Sequence, residues 1–172
     1  KNARLRSVVL LAKNHQGYKN LLLASKLGFD NFIEARKKVI PRIDWKILEQ
    51  CKEGLICLTG DATGILGQLI NTRKIDEAKT QAKRLKDIFG DNLGLEIQPH
   101  ALRRTIDNVY SDYVDQMFTN NQLIKIGQEL DIKIVPTCNS MYLKKEDAEA
   151  HDVALAIGSG QTVKSGNRLK YN

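Results

Sequence analysis

Four short apolar runs stand far apart along the chain, and longer stretches with apolar residues every three or four positions lie between them. The runs are Ser7 to Ala12 (SVVLLA), Gly54 to Gly60 (GLICLTG), Leu93 to Gln98 (LGLEIQ) and Ile132 to Val135 (IKIV). Each has strand length, and Gly, Pro, Asn or Asp residues punctuate the sequence around them, so each is predicted to be a buried strand. After the first run, Asn14 is placed to cap a helix whose inward face is Tyr18, Leu21, Leu22 and Ser25 and whose end lies near Gly28. Asp30 is expected to cap a short helix through Ala35. The basic knot Arg36, Lys37 and Lys38 then reads as a solvated face rather than a phosphate site. Pro41 breaks the chain, and Asp44 caps a helix that turns Trp45, Leu48 and Cys51 inward.

The second run ends in the loop Asp61 to Gly64, from which a helix starts at Ile65 and runs to Ile70. An amphipathic helix, Asp76 to Phe89, points Ala78, Ala82, Leu85 and Phe89 inward. Pro99 and His100 end the third run. Beyond them, Ile106, Val109, Tyr110, Tyr113, Val114 and Met117 fit helical spacing, a stripe that suits core or interface better than base stacking. A helix from Asn121 to Leu130 leads to the fourth run, which Pro136 ends. The polar loop Thr137 to Ser140 follows, where an α/β protein places site residues. Lys144, Lys145, Glu146 and Asp147 then introduce an Ala-rich helix that stops at Gly158 or Gly160. Residues 161–172 are polar and read as an extended linker.

Strands alternating with helical blocks predict parallel strands in an α/β layer or barrel, and every connection is long enough for a crossover. Four strands leave such a sheet or barrel incomplete. With a strand beginning almost at Lys1, the expectation is a piece cut from a longer protein.

Composition narrows this picture modestly. The 172 residues, 42% hydrophobic and 27% charged, fit one domain or a large piece of one with a sizeable core. A net charge of +7 fits a nucleic-acid or other polyanionic partner, but the basic residues are dispersed, as in many proteins that bind neither. The three cysteines, Cys51, Cys57 and Cys138, form no C-x-x-C pair, which argues against a zinc ribbon or disulfide framework and for reduced intracellular thiols. No stretch approaches the roughly 18 to 20 apolar residues of a membrane span.

Few residues outside the strand ends carry a chemical signal. Glu96 and His100 resemble a metal pair, but Glu96 is expected to point along its strand, leaving His100 as a rim residue. His151 and Asp152 fall inside the last helix, where a packing or capping role outweighs a catalytic one. His15 is expected at the surface. Gly158 to Gly160 follows a helix instead of opening one, so it is a stop signal and not a phosphate loop.

Four blocks carry a family resemblance: LLAKNHQGYKNLLLAS (Leu10 to Ser25), PRIDWKILEQCKEGLICLTG (Pro41 to Gly60), LKDIFGDNLGLEIQPHAL (Leu85 to Leu102) and YLKKEDAEAHDVALAIGSGQTV (Tyr142 to Val163). In order and in content they resemble bacterial or phage DNA polymerase III alpha subunits, over the later, C-terminal part of the PHP (polymerase and histidinol phosphatase) domain. The resemblance implies a partial, distorted (β/α)7 PHP barrel with parallel strands and surrounding helices. Residues 1–160 would be the later part of that domain, and 161–172 a polar linker toward a polymerase region. The parent protein would be a cytoplasmic DNA-directed DNA polymerase, a nucleotidyltransferase of DNA replication. It would use Mg2+ in a palm outside this chain, act on DNA and dNTPs, and contact a proofreading exonuclease and other replisome subunits, with no membrane association.

In metal-binding members of the family, the barrel mouth holds a cluster of His, Asp, Glu and Cys ligands for up to three metal ions. Four of those positions fall on Ser7, Asp61, Asn139 and Met141 here. Serine is a poor ligand for Zn2+ or Mn2+, asparagine lacks the charge that holds a divalent ion, and methionine offers a soft neutral thioether. Asp61 alone keeps a usable donor. The expectation is a degenerate metal site without catalytic residues or a cofactor, serving as a structural scaffold or exonuclease-docking segment. An active PHP phosphoesterase or 3'-5' exonuclease using Zn2+ or Mn2+ is the alternative, and a stand-alone binding module a third reading.

Overall fold

The computed structural model describes residues 6–35, 38–98, 103–104, 114–138 and 140–166. In chain order the elements are β1 (Val9–Ala12), α1 (His15–Asp30), β2 (Ile33–Ala35), β3 (Lys38–Ile40), α2 (Trp45–Gln50), β4 (Leu55–Leu58), α3 (Ile65–Asn71) and α4 (Ile75–Phe89). There follow β5 (Leu93–Ile97), β6 (Arg103–Arg104), β7 (Val114–Asp115), α5 (Gln116–Leu130), β8 (Lys133–Pro136) and α6 (Ala148–Gly158). Two compact units result, Lys1–Thr137 and Cys138–Asn172. No described helix is long and apolar enough to cross a membrane.

The first unit is built on a four-stranded sheet in the order β1-β4-β5-β8. β4, β5 and β8 run parallel, as the alternation of strands and helices predicts, and form a mixed α/β layer consistent with part of a PHP barrel. One face of the sheet buries Leu55, Cys57, Leu93 and Leu95 against Leu66, Leu69 and Ile70 of α3, Ala78, Ala82, Leu85 and Phe89 of α4, and Leu123 and Ile126 of α5. The inward set of α4 is the one its 3.6-residue period predicts. Alternation sends the next residues to the opposite face. There a Cβ added to Gly94 would lie 2.7 Å from Val135 Cγ2 and 2.9 Å from Leu58 Cδ2. In β1, Val9 and Leu11 alternate with Leu10 of the core side and remain 41% and 46% exposed.

β1 departs from the parallel expectation: it pairs antiparallel with β4, Val9 opposite Leu58 and Ala12 opposite Leu55. The cause lies in the AKN-x-x-GYKN segment. Lys13 N donates to Gly54 O at 2.8 Å, continuing the ladder to the turn before β4. Asn14 then caps α1 by accepting from Gly17 N at 2.9 Å, and Asn20 Nδ2 donates to Glu53 O at 2.8 Å. The first turn of α1 is thereby laid on the turn that opens β4. Only glycine fits this crossing. A Cβ on Gly17 would collide with the Gly54 carbonyl, and Gly54 has a φ of +69°, a left-handed conformation that side chains resist.

That crossing also rotates α1 from its expected face. Gly17, Asn20, Ala24 and Gly28 are buried and Leu21 is partly covered, whereas Tyr18, Leu22 and Ser25 face out. Small residues let the helix backbone approach β1 and the turn, so the larger side chains are left outside. The expected helix from Asp30 to Ala35 is instead a β2–β3 hairpin pairing Ile33 with Ile40 and Glu34 with Val39, a pattern favoured by β-branched residues. Of the stripe expected to be helical between Ala101 and Asn121, Val114 lies in β7, which pairs with β6. Met117 lies in the first turn of α5 but is exposed, while Ile106, Val109, Tyr110 and Tyr113 lie outside the described residues. α5 starts at Gln116, five residues before the expected Asn121. The α2 cap is as expected, with Ile47 N donating to Asp44 Oδ1 at 2.9 Å.

In the second unit, Asp147 Oδ2 accepts from Lys144 N at 3.0 Å in the single turn that precedes α6. The Tyr142 and His151 rings meet at 5.5 Å, a packing role for this histidine. Ser159 and Gly160, the latter at φ +65°, end α6.

Gly17→Ala is expected to cost about 3 kcal/mol or more, because backbone atoms must move to admit the methyl group. Tyr18→Ala, on the exposed side of the same turn, should stay within about 0.5 kcal/mol of the parent. Urea unfolding of the two variants checks the contrast; equal midpoints would contradict it.

Candidate functional site at a strand edge

Because β1 is antiparallel, its beginning meets the C-terminal ends of β4, β5 and β8. Ser7, just ahead of β1, gives its carbonyl to Ile65 N at 2.9 Å, which ties the entering chain to the first residue of α3. Its side chain is exposed. Gly60 turns the chain out of β4 with a φ of +75°. Asp61 follows, and its Oδ1 accepts from Thr63 N at 2.8 Å and Thr63 Oγ1 at 2.7 Å, so one carboxylate oxygen is spent on closing its own loop. Asn71 Nδ2 donates to Ala62 O at 3.0 Å and Gln68 Nε2 to Thr63 O at 2.7 Å, fixing that loop from α3.

Beside it lies a group that the sequence reading underestimated. Glu96 is 8% exposed. Its Oε1 accepts from Thr137 Oγ1 at 2.7 Å, and its backbone N donates to Thr59 Oγ1 at 3.1 Å. Oε2 is buried and has no hydrogen-bond partner among the described residues. Hydrogen bonds thus link Glu96 of β5 to the residues that follow β4 and β8, through its backbone N on one side and its carboxylate on the other. The signal was present in sequence: an acidic residue inside an apolar strand, with Thr59 and Thr137 ending two neighbouring runs.

Of the four positions that match family ligands, Ser7 and Asp61 come together at this edge, and Met141, 39% exposed, belongs to the second unit. Asn139 and His100 lie outside the described residues. Among the described residues no three His, Cys, Asp or Glu side chains are grouped as a metal would need. A multi-metal centre needs several convergent, deprotonated donors. The two matched positions that meet at this edge, Ser7 and Asp61, supply one hydroxyl and one carboxylate. His15 is exposed at the start of α1 and touches none of this.

The thiols are equally remote from chemistry. Cys57 is fully buried under α3 and α4, and burial pushes its thiol up to about 12. Burial also raises Cys51, whereas Cys138 is exposed.

A family model described as PHP domain matches residues 2–100, more than half of the chain. The chain belongs to the PHP family. Its relatives include the DNA polymerase III subunit alpha of Borreliella burgdorferi, 34% identical over 163 residues that make up 95% of this chain and 13% of that protein. The corresponding subunit of Aquifex aeolicus is 33% identical over 93% of the chain and 13% of the relative, and that of Deinococcus radiodurans 32% over 95% and 11%. This PHP chain therefore spans only about one-eighth of the length of the curated relatives it matches. The block AKN-x-x-GYKN, which carried the resemblance, is the segment that sets the antiparallel β1 of this PHP sheet, so its residues are accounted for by architecture.

The burial of the thiols gives a direct check. Under native conditions at pH 8, alkylation followed by mass spectrometry should label Cys138 and leave Cys57 unmodified, with Cys57 reacting only after denaturation. Native labelling of Cys57 at a comparable rate would contradict the placement of β4 in the core.

Proposed function

We propose that this chain is a metal-free structural segment of a replicative DNA polymerase III alpha subunit. The observation that carries the proposal is the donor set, in which Asp61 is the one ionisable side chain among the four positions that match family ligands. Half of that carboxylate is engaged by Thr63. Water activation by metal ions requires several anionic or imidazole ligands held together. With those replaced, the remaining role is to hold the polymerase polypeptide in shape and to offer a docking surface to a proofreading exonuclease or another replisome subunit.

In this reading, residues 1–160 are the later part of the PHP domain, and residues 161–172 lead toward the polymerase region. The parent protein is a cytoplasmic DNA-directed DNA polymerase that takes DNA and dNTPs and uses Mg2+ in a palm beyond this segment. The net charge of +7 suits work close to DNA without requiring that this segment touch it. One observation favours the competing reading of a Zn2+- or Mn2+-dependent phosphoesterase or 3'-5' exonuclease: Glu96 and Asp61 leave two carboxylates on one strand edge, and one Glu96 oxygen is unpartnered among the described residues.

Metal analysis of the full-length protein separates the two. After dialysis against Zn2+ or Mn2+ and gel filtration, the scaffold reading expects far less than one ion per chain attributable to this segment, unchanged by Asp61→Asn. It also expects DNA synthesis by Asp61→Asn at the parental rate. Stoichiometric metal that is lost in Asp61→Asn, together with exonuclease activity lost in the same variant, would establish the phosphoesterase.

A further inference from the structure

A metal ion held by ligands from several strand ends does more than chemistry: it cross-links those ends. We infer that in this chain the Thr59–Glu96–Thr137 cluster supplies that cross-link through protein atoms alone, as a clasp across β4, β5 and β8. This inference rests on the metal-free reading above.

Its geometry is that of a tie. Thr59 and Thr137 follow β4 and β8, and Glu96 of β5 is hydrogen-bonded to both, at 3.1 Å between Glu96 N and Thr59 Oγ1 and 2.7 Å between Thr137 Oγ1 and Glu96 Oε1. The backbone repeats the arrangement, with Thr59 N donating to Gly94 O at 3.2 Å and Thr137 N to Ile97 O at 2.9 Å. Apolar groups pack beside it: Val135 is the register partner of Glu96, and Leu58 pairs with Gly94, two residues before Glu96 in β5. The clasp therefore sets a polar link beside apolar packing at the strand edge.

Its chemistry argues that the carboxylate is kept for what it holds. A buried carboxylate with an oxygen unpartnered among the described residues is costly, and an apolar residue at this position would avoid the cost. A hydroxyl donating to a carboxylate is a short, charge-assisted bond and offsets part of it. Thr137 is also the last residue of the first unit. The bond to Glu96 thus fixes the register of the end of β8 at the point where the chain leaves the sheet. Without it, the end of β8 would be held by its backbone ladder to β5, while its beginning stays anchored by Ile132 and Ile134 against α5 and the core.

Hydrogen exchange of the full-length protein, read by mass spectrometry over peptides covering β5 and β8, tests the clasp. Thr137→Val keeps the shape and removes the donor, so exchange at the end of β8 should accelerate about tenfold or more, whereas Thr137→Ser, which keeps the hydroxyl, should remain close to the parent. Glu96→Leu should give acceleration similar to Thr137→Val. The double variant should be no faster than either single, because the two residues act through one bond. Parental exchange in both Thr137→Val and Glu96→Leu, equal acceleration in Thr137→Ser, or full additivity in the double variant would overturn the clasp and leave the metal-free reading standing. Metal bound at this edge, measured on the same preparations, would overturn that reading instead. Should Thr137→Val lower the soluble yield, Glu96→Leu reads the same tie from the other side.

Discussion

The contact between two glycines, Gly17 in the first turn of α1 and Gly54 in the turn before β4, is the constraint on which the first unit depends. It lets a helix backbone lie on a turn at a distance no side chain would allow. Asn14 and Asn20 hold the pair from either side, one capping α1 and the other binding Glu53 O. With the end of β1 fixed beside the start of β4, the strands must be antiparallel, and the beginning of β1 must lie at the far edge. That edge is where β4, β5 and β8 end. A packing contact at one end of the sheet thus decides which residues meet at the other.

The described residues brought together there are engaged with backbone and with neighbouring strands. Ser7 contributes its carbonyl, Asp61 closes its own loop, and Glu96 joins Thr59 to Thr137. Of these groups Thr59 and Glu96 are buried, whereas the Ser7 side chain is exposed. Stability and catalysis place different demands on the same positions. An ion site needs unsatisfied, convergent charge, whereas a closure needs charge that is already engaged.

Much of this was legible in the sequence, for reasons that can be stated. The period of α4 determines its buried face because four apolar positions repeat without exception. Asp44 and Asn14 announce their helices because a cap is a local interaction. The family blocks identified the chain, and the ligand positions could be read one by one. Other features were not legible. The direction of β1 is invisible to periodicity, since a strand has the same alternation either way. The buried face of α1 was misassigned because Gly17, Ala24 and Gly28 bury themselves by closeness of approach, and a hydrophobic pattern ranks Tyr18 and Leu22 above them. Glu96 was noted, but its partners, Thr59 and Thr137, were not, because they are distant in sequence and become neighbours only through strand register.

The central claim is that the strand edge is held by protein atoms and not by metal ions. Its most direct test is crystallographic: the full-length protein grown in Mn2+ or Zn2+, with anomalous scattering collected at the metal edge. The account predicts no anomalous peak near Ser7, Asp61 and Glu96, with Thr137 Oγ1 still within hydrogen-bond distance of the Glu96 carboxylate. Two or more peaks at that edge, with Asp61 and Glu96 turned toward them, would contradict it.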